Sequence, residues 1–118
     1  MPKILIVDDE PDTVELISII LGKKGYEVAK AYSGKECLEA FRKEKPDLIL
    51  LDIMMPGMSG WDVYGRIRKL DKKVKVAFVS VIEISPERLQ VLKKDGVSDY
   101  ITKPFTADNL LKRVGSII

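Results

Sequence analysis

The 118-residue chain is long enough for one domain with its own core, and at 46% hydrophobic and 32% charged residues it has the composition of a folded globular protein. A formal net charge of +2 is too small to point to nucleic acid, and one cysteine with no histidine excludes an internal disulfide, Cys/His metal sites and His-based catalytic triads. No apolar run approaches the length of a membrane span, and Met1-Pro2-Lys3 leads straight into a short strand-like run, unlike a signal peptide, so the expected compartment is the cytoplasm.

Ile4-Leu5-Ile6-Val7 reads as a strand ending in Asp8-Asp9-Glu10, and Pro11 suits the first turn of a helix. Val14, Ile17, Ile20 and Leu21 follow at helical spacing, with Gly22 and Gly25 as stop signals. Tyr26-Glu27-Val28-Ala29 alternates like a second strand. Ser33-Gly34-Lys35-Glu36 forms a capping box for a helix with Leu38 and Phe41 inward, closed by Pro46-Asp47. Leu48-Ile49-Leu50-Leu51 is apolar throughout, as in strands covered on both faces, and it carries Asp52 to its end just before Pro56-Gly57. Alone, Asp52 reads as a turn residue.

Ser59 caps a third helix with Val63, Ile67 and Leu70 as its buried stripe. The basic run Arg66, Arg68, Lys69, Lys72, Lys73 and Lys75 has no interleaved aromatic residue and reads as a solvated face. Val74 to Val81 gives a fourth strand with Ser80 near its carboxyl end. Ser85-Pro86-Glu87 opens a helix through Lys94, and Gly96 ends it. Val97 to Thr102 is the fifth strand, leading into Lys103-Pro104-Phe105, and Thr106 caps a last helix with Leu110, Leu111, Val114, Ile117 and Ile118 inward.

Five strands alternating with five helices predict an α/β fold with a parallel sheet covered on both faces. In such sheets ligands bind outside the carboxyl ends of the strands, which selects Asp8, Asp9, Asp52, Ser80 and Lys103. Clustered carboxylates call for a cation, raised pKa values or both, and oxygen-only ligation suits Mg²⁺, with Mn²⁺ the alternative. Lys103 offers a compact positive charge and Ser80 a hydroxyl donor, both suited to a phosphoryl oxygen, with Asp52 placed as nucleophile.

At these residues the chain resembles the receiver domains of two-component response regulators over essentially its whole length, residues 1–118. The resemblance rests on Val7-Asp8-Asp9-Glu10-Pro11, Leu51-Asp52-Ile53-Met54-Met55-Pro56-Gly57-Met58-Ser59-Gly60, Ser80 and Tyr100-Ile101-Thr102-Lys103-Pro104-Phe105. It implies a doubly wound, flavodoxin-like sheet in the order 2-1-3-4-5. It also implies Mg²⁺ on Asp8, Asp52 and the Met54 backbone carbonyl, with Asp9 acting through metal-bound water, and phosphorylation of Asp52 by a sensor histidine kinase or phosphotransfer protein. By the same resemblance Lys103-Pro104 is a cis peptide, Ser80 and Tyr100 form the switch, and output runs through the fourth helix, fifth strand and fifth helix. That face carries Glu87, Arg88, Lys93, Lys94, Asp95, Asp99, Asn109 and Arg113, with neither nucleic acid nor membrane as a direct partner.

The positions that tune hydrolysis in that family are here Met54 and Ile82. Both are apolar and unable to orient a water, which predicts a long-lived aspartyl phosphate. Ser80-Val81 stands in place of the commoner threonine-alanine pair. Asp99 and Arg113 resemble a pair used across a homodimer of DNA-binding members, which would imply dimerisation on phosphorylation; the remaining pairs of that interface are not clearly present, and a solvated charge mosaic is the alternative reading of this face. Two other classes remain open on sequence. A phosphorylation-independent binding module is opposed by the intact acidic and Lys103 set. A Mg²⁺-dependent phosphohydrolase is opposed by Met54 where such enzymes carry a second carboxylate.

Overall fold

The computed structural model describes residues 1–118. Strands β1 (Lys3–Val7), β2 (Glu27–Ala31), β3 (Leu48–Leu51), β4 (Lys75–Ser80) and β5 (Asp99–Thr102) form one parallel sheet in the order β2-β1-β3-β4-β5. Helices α1 (Pro11–Lys24), α2 (Gly34–Glu44), α3 (Gly60–Leu70), α4 (Pro86–Lys94) and α5 (Ala107–Ile117) connect them.

The continuous apolar runs follow from two cores, one on each face, because successive strand residues point to opposite sides. Ile4, Ile6, Leu48, Leu50, Ala77 and Val79 pack with Val14, Ile17 and Leu21 of α1 and Leu110 and Val114 of α5. Leu5, Val7, Ile49, Leu51, Val76 and Phe78 pack on the other side with Cys37 of α2 and Val63 and Ile67 of α3. A strand buried on both faces has no solvent side for a polar residue, so polar chemistry is displaced to its ends.

Caps set the helix starts. The side-chain oxygens of Ser33, Ser59, Ser85 and Thr106 each accept an N–H three residues on, from Glu36, Asp62, Arg88 and Asn109. Four expectations shift. Gly22 does not stop α1: a single glycine weakens a helix by roughly 1 kcal/mol without ending it. The helix runs to Lys24, and Gly25 terminates it with φ 103°, while the Tyr26 N–H returns to the Leu21 carbonyl at 3.2 Å. Tyr26 is therefore part of the helix exit, and β2 begins at Glu27. The buried stripe of α3 ends at Ile67; Leu70, the helix's last residue before the chain turns extended at Asp71, is 52% exposed. Finally, β5 begins at Asp99, because Val97 and Ser98 serve as its lead-in, with the Ser98 N–H on the Val76 carbonyl at 2.8 Å.

Candidate functional site

The sheet register levels the carboxyl ends of β1 and β3. Val7 pairs with Leu51, and the Asp52 N–H donates to the Val7 carbonyl at 3.0 Å, so Asp8 and Asp52 emerge side by side. Asp8, Asp52 and Ser80 are the three buried polar side chains of the protein, and all lie at this edge. Burying charge is costly unless it is paired or hydrogen-bonded, so their grouping is the strongest pointer to a site.

Asp8 accepts the Glu10 N–H through Oδ1 at 3.0 Å and the Lys103 ammonium through Oδ2 at 2.6 Å. Asp52 accepts the Ile53 N–H through Oδ1 at 2.8 Å, leaving Oδ2 facing Lys103 Nζ at 3.8 Å. Carboxylate oxygens of Asp8, Asp9 and Asp52 all lie within 4.8 Å of one another. Burial raises the pKa of Asp52. Lys103 opposes that shift, Asp8 adds to it, and the Ile53 and Met54 amides oppose it. Three carboxylates with one ammonium leave an excess of negative charge. The all-oxygen donor set, partly buried and open at the sheet edge, fits a hard divalent cation.

Lys103 follows β5, its N–H donating to the Ser80 carbonyl at 2.8 Å, and the Lys103–Pro104 peptide is cis. Ser80 and Tyr100 converge on one residue. The Ser80 hydroxyl accepts the Ile82 N–H at 3.3 Å, and the Tyr100 hydroxyl donates to the Ile82 carbonyl. The Tyr100 ring is buried, 6.3 Å between centroids from Phe78, and burial raises its phenol pKa. The side chains of Met54 and Ile82 stand exposed at the rim, as does that of Val81.

Two features carry no role in the sequence reading. Gly60 is packed against the loop that holds Asp52. Its N–H donates to the Ile53 carbonyl at 2.8 Å, and a Cβ there would collide with the Asp52 carbonyl and lie 2.7 Å from Ile53 Cα. It closes the Leu51–Gly60 stretch on which the resemblance rests, but neither that match nor its place directly after the Ser59 cap tells what the missing side chain makes room for. Arg68 is the second. It leaves the basic run to donate to the carbonyls of Val74 at 2.6 Å, Gly96 at 3.0 Å and Asp71 at 3.3 Å, while the Tyr64 hydroxyl beside it donates to the Asp95 carbonyl at 2.9 Å. Nothing in a basic run distinguishes a clamp from a solvated charge.

The family model for the response regulator receiver domain matches residues 4–115. The chain belongs to that family. Receiver domains are phosphorylation-based signalling switches rather than enzymes in the ordinary sense, and they work with histidine kinases or phosphotransfer proteins. The chain is 34% identical to the protein PilH of Pseudomonas aeruginosa, with 100% of this chain and 98% of that one covered. It is 32% identical to the probable transcriptional regulatory protein TcrX of Mycobacterium tuberculosis over 98% of its own length, spanning about half (49%) of that relative. Among solved structures it resembles the chemotaxis protein CheY4 of Vibrio cholerae (TM-score 0.90, 32% identity, 100% and 99% of the two chains). It is also similar to the response regulator TrrA of Thermotoga maritima, solved in complex with Mg²⁺ and BeF (TM-score 0.85, 36% identity, 100% of each chain). No helix of this receiver is long and apolar enough to cross a membrane.

On the α4-β5-α5 face of the receiver, Glu87, Arg88, Lys93, Lys94, Asp95 and Asn109 are exposed. Asp99 and Arg113 pair with each other inside the chain: the guanidinium bridges both carboxylate oxygens at 2.9 and 3.0 Å and reaches the Tyr100 carbonyl at 3.3 Å. The last turns of α5 stand directly over β5, so the two partners need no second copy to meet.

Proposed function

We propose that this receiver takes a phosphoryl group onto Asp52 from the phosphohistidine of a sensor histidine kinase or phosphotransfer protein, in the cytoplasm, and reports it through its α4-β5-α5 face. The observation that carries the reading is the convergence of Asp8, Asp9 and Asp52 with the Lys103 ammonium at one sheet edge.

Asp52 Oδ1 is engaged by the Ile53 amide, so Oδ2 is the oxygen free to attack. As the new P–O bond forms, the P–N bond to the donor imidazole breaks, and the electron pair stays with the imidazole. Asp8, Asp9, Asp52 and the Met54 carbonyl would hold Mg²⁺, or Mn²⁺ in its place, which supplies charge neutralisation for the transferred group. Lys103 pairs with a phosphoryl oxygen from its position between Asp8 and Asp52. Ser80 donates its hydroxyl proton to another, and in doing so moves relative to the Ile82 amide it now serves as acceptor.

Tyr100 shares Ile82 with Ser80, and through that shared residue the state of Asp52 biases the start of the β4–α4 connection. Homodimerisation through α4-β5-α5 would have to rearrange the internal Asp99–Arg113 pair. With Met54 and Ile82 at the rim, no polar side chain at either position orients an attacking water, and the phosphate persists for minutes to hours.

Incubation with Mg²⁺ and acetyl phosphate, read by intact mass, should add one phosphate, and Asp52→Asn should add none. No gain in the parent chain would favour a phosphorylation-independent binding module, and continuous phosphate release would favour a phosphohydrolase.

A further inference from the structure

The basic run that begins at Arg66 divides in the structure. Arg68 turns to its carbonyls, but Arg66 and Lys69, one turn apart on α3, share a face. With Lys35 of α2 they rim an open groove of about 620 Å³ between the two helices. The lining sets these three cations against one carboxylate, Asp62, and none of the three forms an ion pair. All three are exposed.

The groove is not only charged. Trp61, 36% exposed, and Met58 line it as well. The indole is backed by Phe78, 4.6 Å between ring centroids, which holds it in place. An aromatic side chain already immobilised contributes contact area at low entropic cost.

We propose that the α2–α3 groove is a docking surface for an acidic segment of a partner protein. Its carboxylates meet Lys35, Arg66 and Lys69, and an apolar side chain rests on Trp61 and Met58. Charge complementarity selects this occupant: unpaired like charges around one concavity attract a polyanion and set its on-rate and salt dependence. A peptide fits better than single-stranded nucleic acid, because a nucleic acid uses a series of aromatic platforms and this groove has one ring with Phe78 packed against it. None of its lining residues belongs to α4, β5 or α5, and the proposed contact needs no phosphoryl chemistry to act.

Trp61 is the only tryptophan, so its emission reads the groove directly. The full chain is titrated at low salt with a blocked peptide of alternating Glu and Leu, followed by fluorescence and in parallel by calorimetry. Saturable binding is expected, weakened at least about tenfold in Arg66→Glu/Lys69→Glu and kept within about twofold in Lys23→Glu/Lys24→Glu, which makes the same charge change on exposed residues of α1. Arg66→Ala/Lys69→Ala gives an intermediate loss if the reversal perturbs folding. Absence of saturable binding by both methods overturns the proposal, as does equal weakening in the two reversals. It is also overturned by tighter binding of an oligothymidine at the same residues, or by self-association that the groove reversal abolishes.

Discussion

The β3–α3 and β4–α4 connections leave the same edge of the sheet and are held in opposite ways. After β3, Asp52 and Ile53 are buried, Gly60 is seated against the Asp52 carbonyl, and α3 sinks Val63 and Ile67 into the core. After β4, Val81 and Ile82 are exposed, and α4 has no buried residue, resting on half-buried Leu89 and Leu92 while Val91 faces solvent. The carboxyl-terminal end of α4 is tied to α3 through Tyr64 on Asp95 and Arg68 on Gly96. Its amino-terminal side is tied through Ile82, on which Ser80 and Tyr100 converge. Chemistry at a carboxylate needs fixed geometry, and a readout needs an element that moves at small cost. On the proposed reading the two connections divide those duties.

The sharpest way to break the contrast is Gly60→Ala. The added methyl meets backbone on the rigid side, where nothing flexible can yield, and a loss of more than about 3 kcal/mol is expected in denaturant unfolding. An ordinary surface-glycine cost below about 1 kcal/mol would show that the loop is not held as described. Next, Ile67→Ala in α3 should cost about 3 kcal/mol and Val91→Ala in α4 less than about 0.5 kcal/mol. Similar costs would remove the distinction between the helices.

Arg68→Ala tests the tie between them. It strips partners from the Val74 and Gly96 carbonyls, with an expected cost of about 2 kcal/mol and faster amide exchange concentrated in the α4–β5 turn. Exchange raised uniformly over the chain would mean that Arg68 stabilises the fold without pinning α4.

The rigid half was legible from sequence because burial writes itself into composition: Leu48 through Leu51, apolar throughout and bounded by turn residues, reads as a two-sided strand, and the Ser and Thr caps are local signals. The convergence of Asp8, Asp52, Ser80 and Lys103 follows from the rule for parallel sheet edges once the strands are assigned. What stayed hidden depends on the absence of a side chain or on backbone partners. Gly60 matters for the methyl it lacks, and Arg68 binds carbonyls that any residue could supply. The end of the α3 stripe at Ile67 was equally invisible, since Leu70 keeps the helical period and differs only in standing at the final turn. Gly22 misled because only a left-handed backbone, which Gly25 adopts, terminates that helix.

The smallest expected effect concerns charge at the rigid site. Burial holds the Asp52 carboxyl above its ordinary pKa, against the pull of Lys103, with Asp8 adding to the rise. A carboxyl raised in the folded state favours folding below its unfolded pKa and loses that contribution as pH rises through the folded value. In metal-free protein with EDTA, Asp52→Asn should therefore be the more stable of the two at neutral pH, and the two stability curves should converge as pH falls toward 4. Added Mg²⁺ should reverse the order at neutral pH, because a cation that binds the folded acidic cluster stabilises the parent by mass action and loses one carboxylate ligand in the variant. An Asn variant less stable than the parent in EDTA would mean that the Lys103 and amide contacts outweigh burial, leaving the acidic edge at rest without a cation.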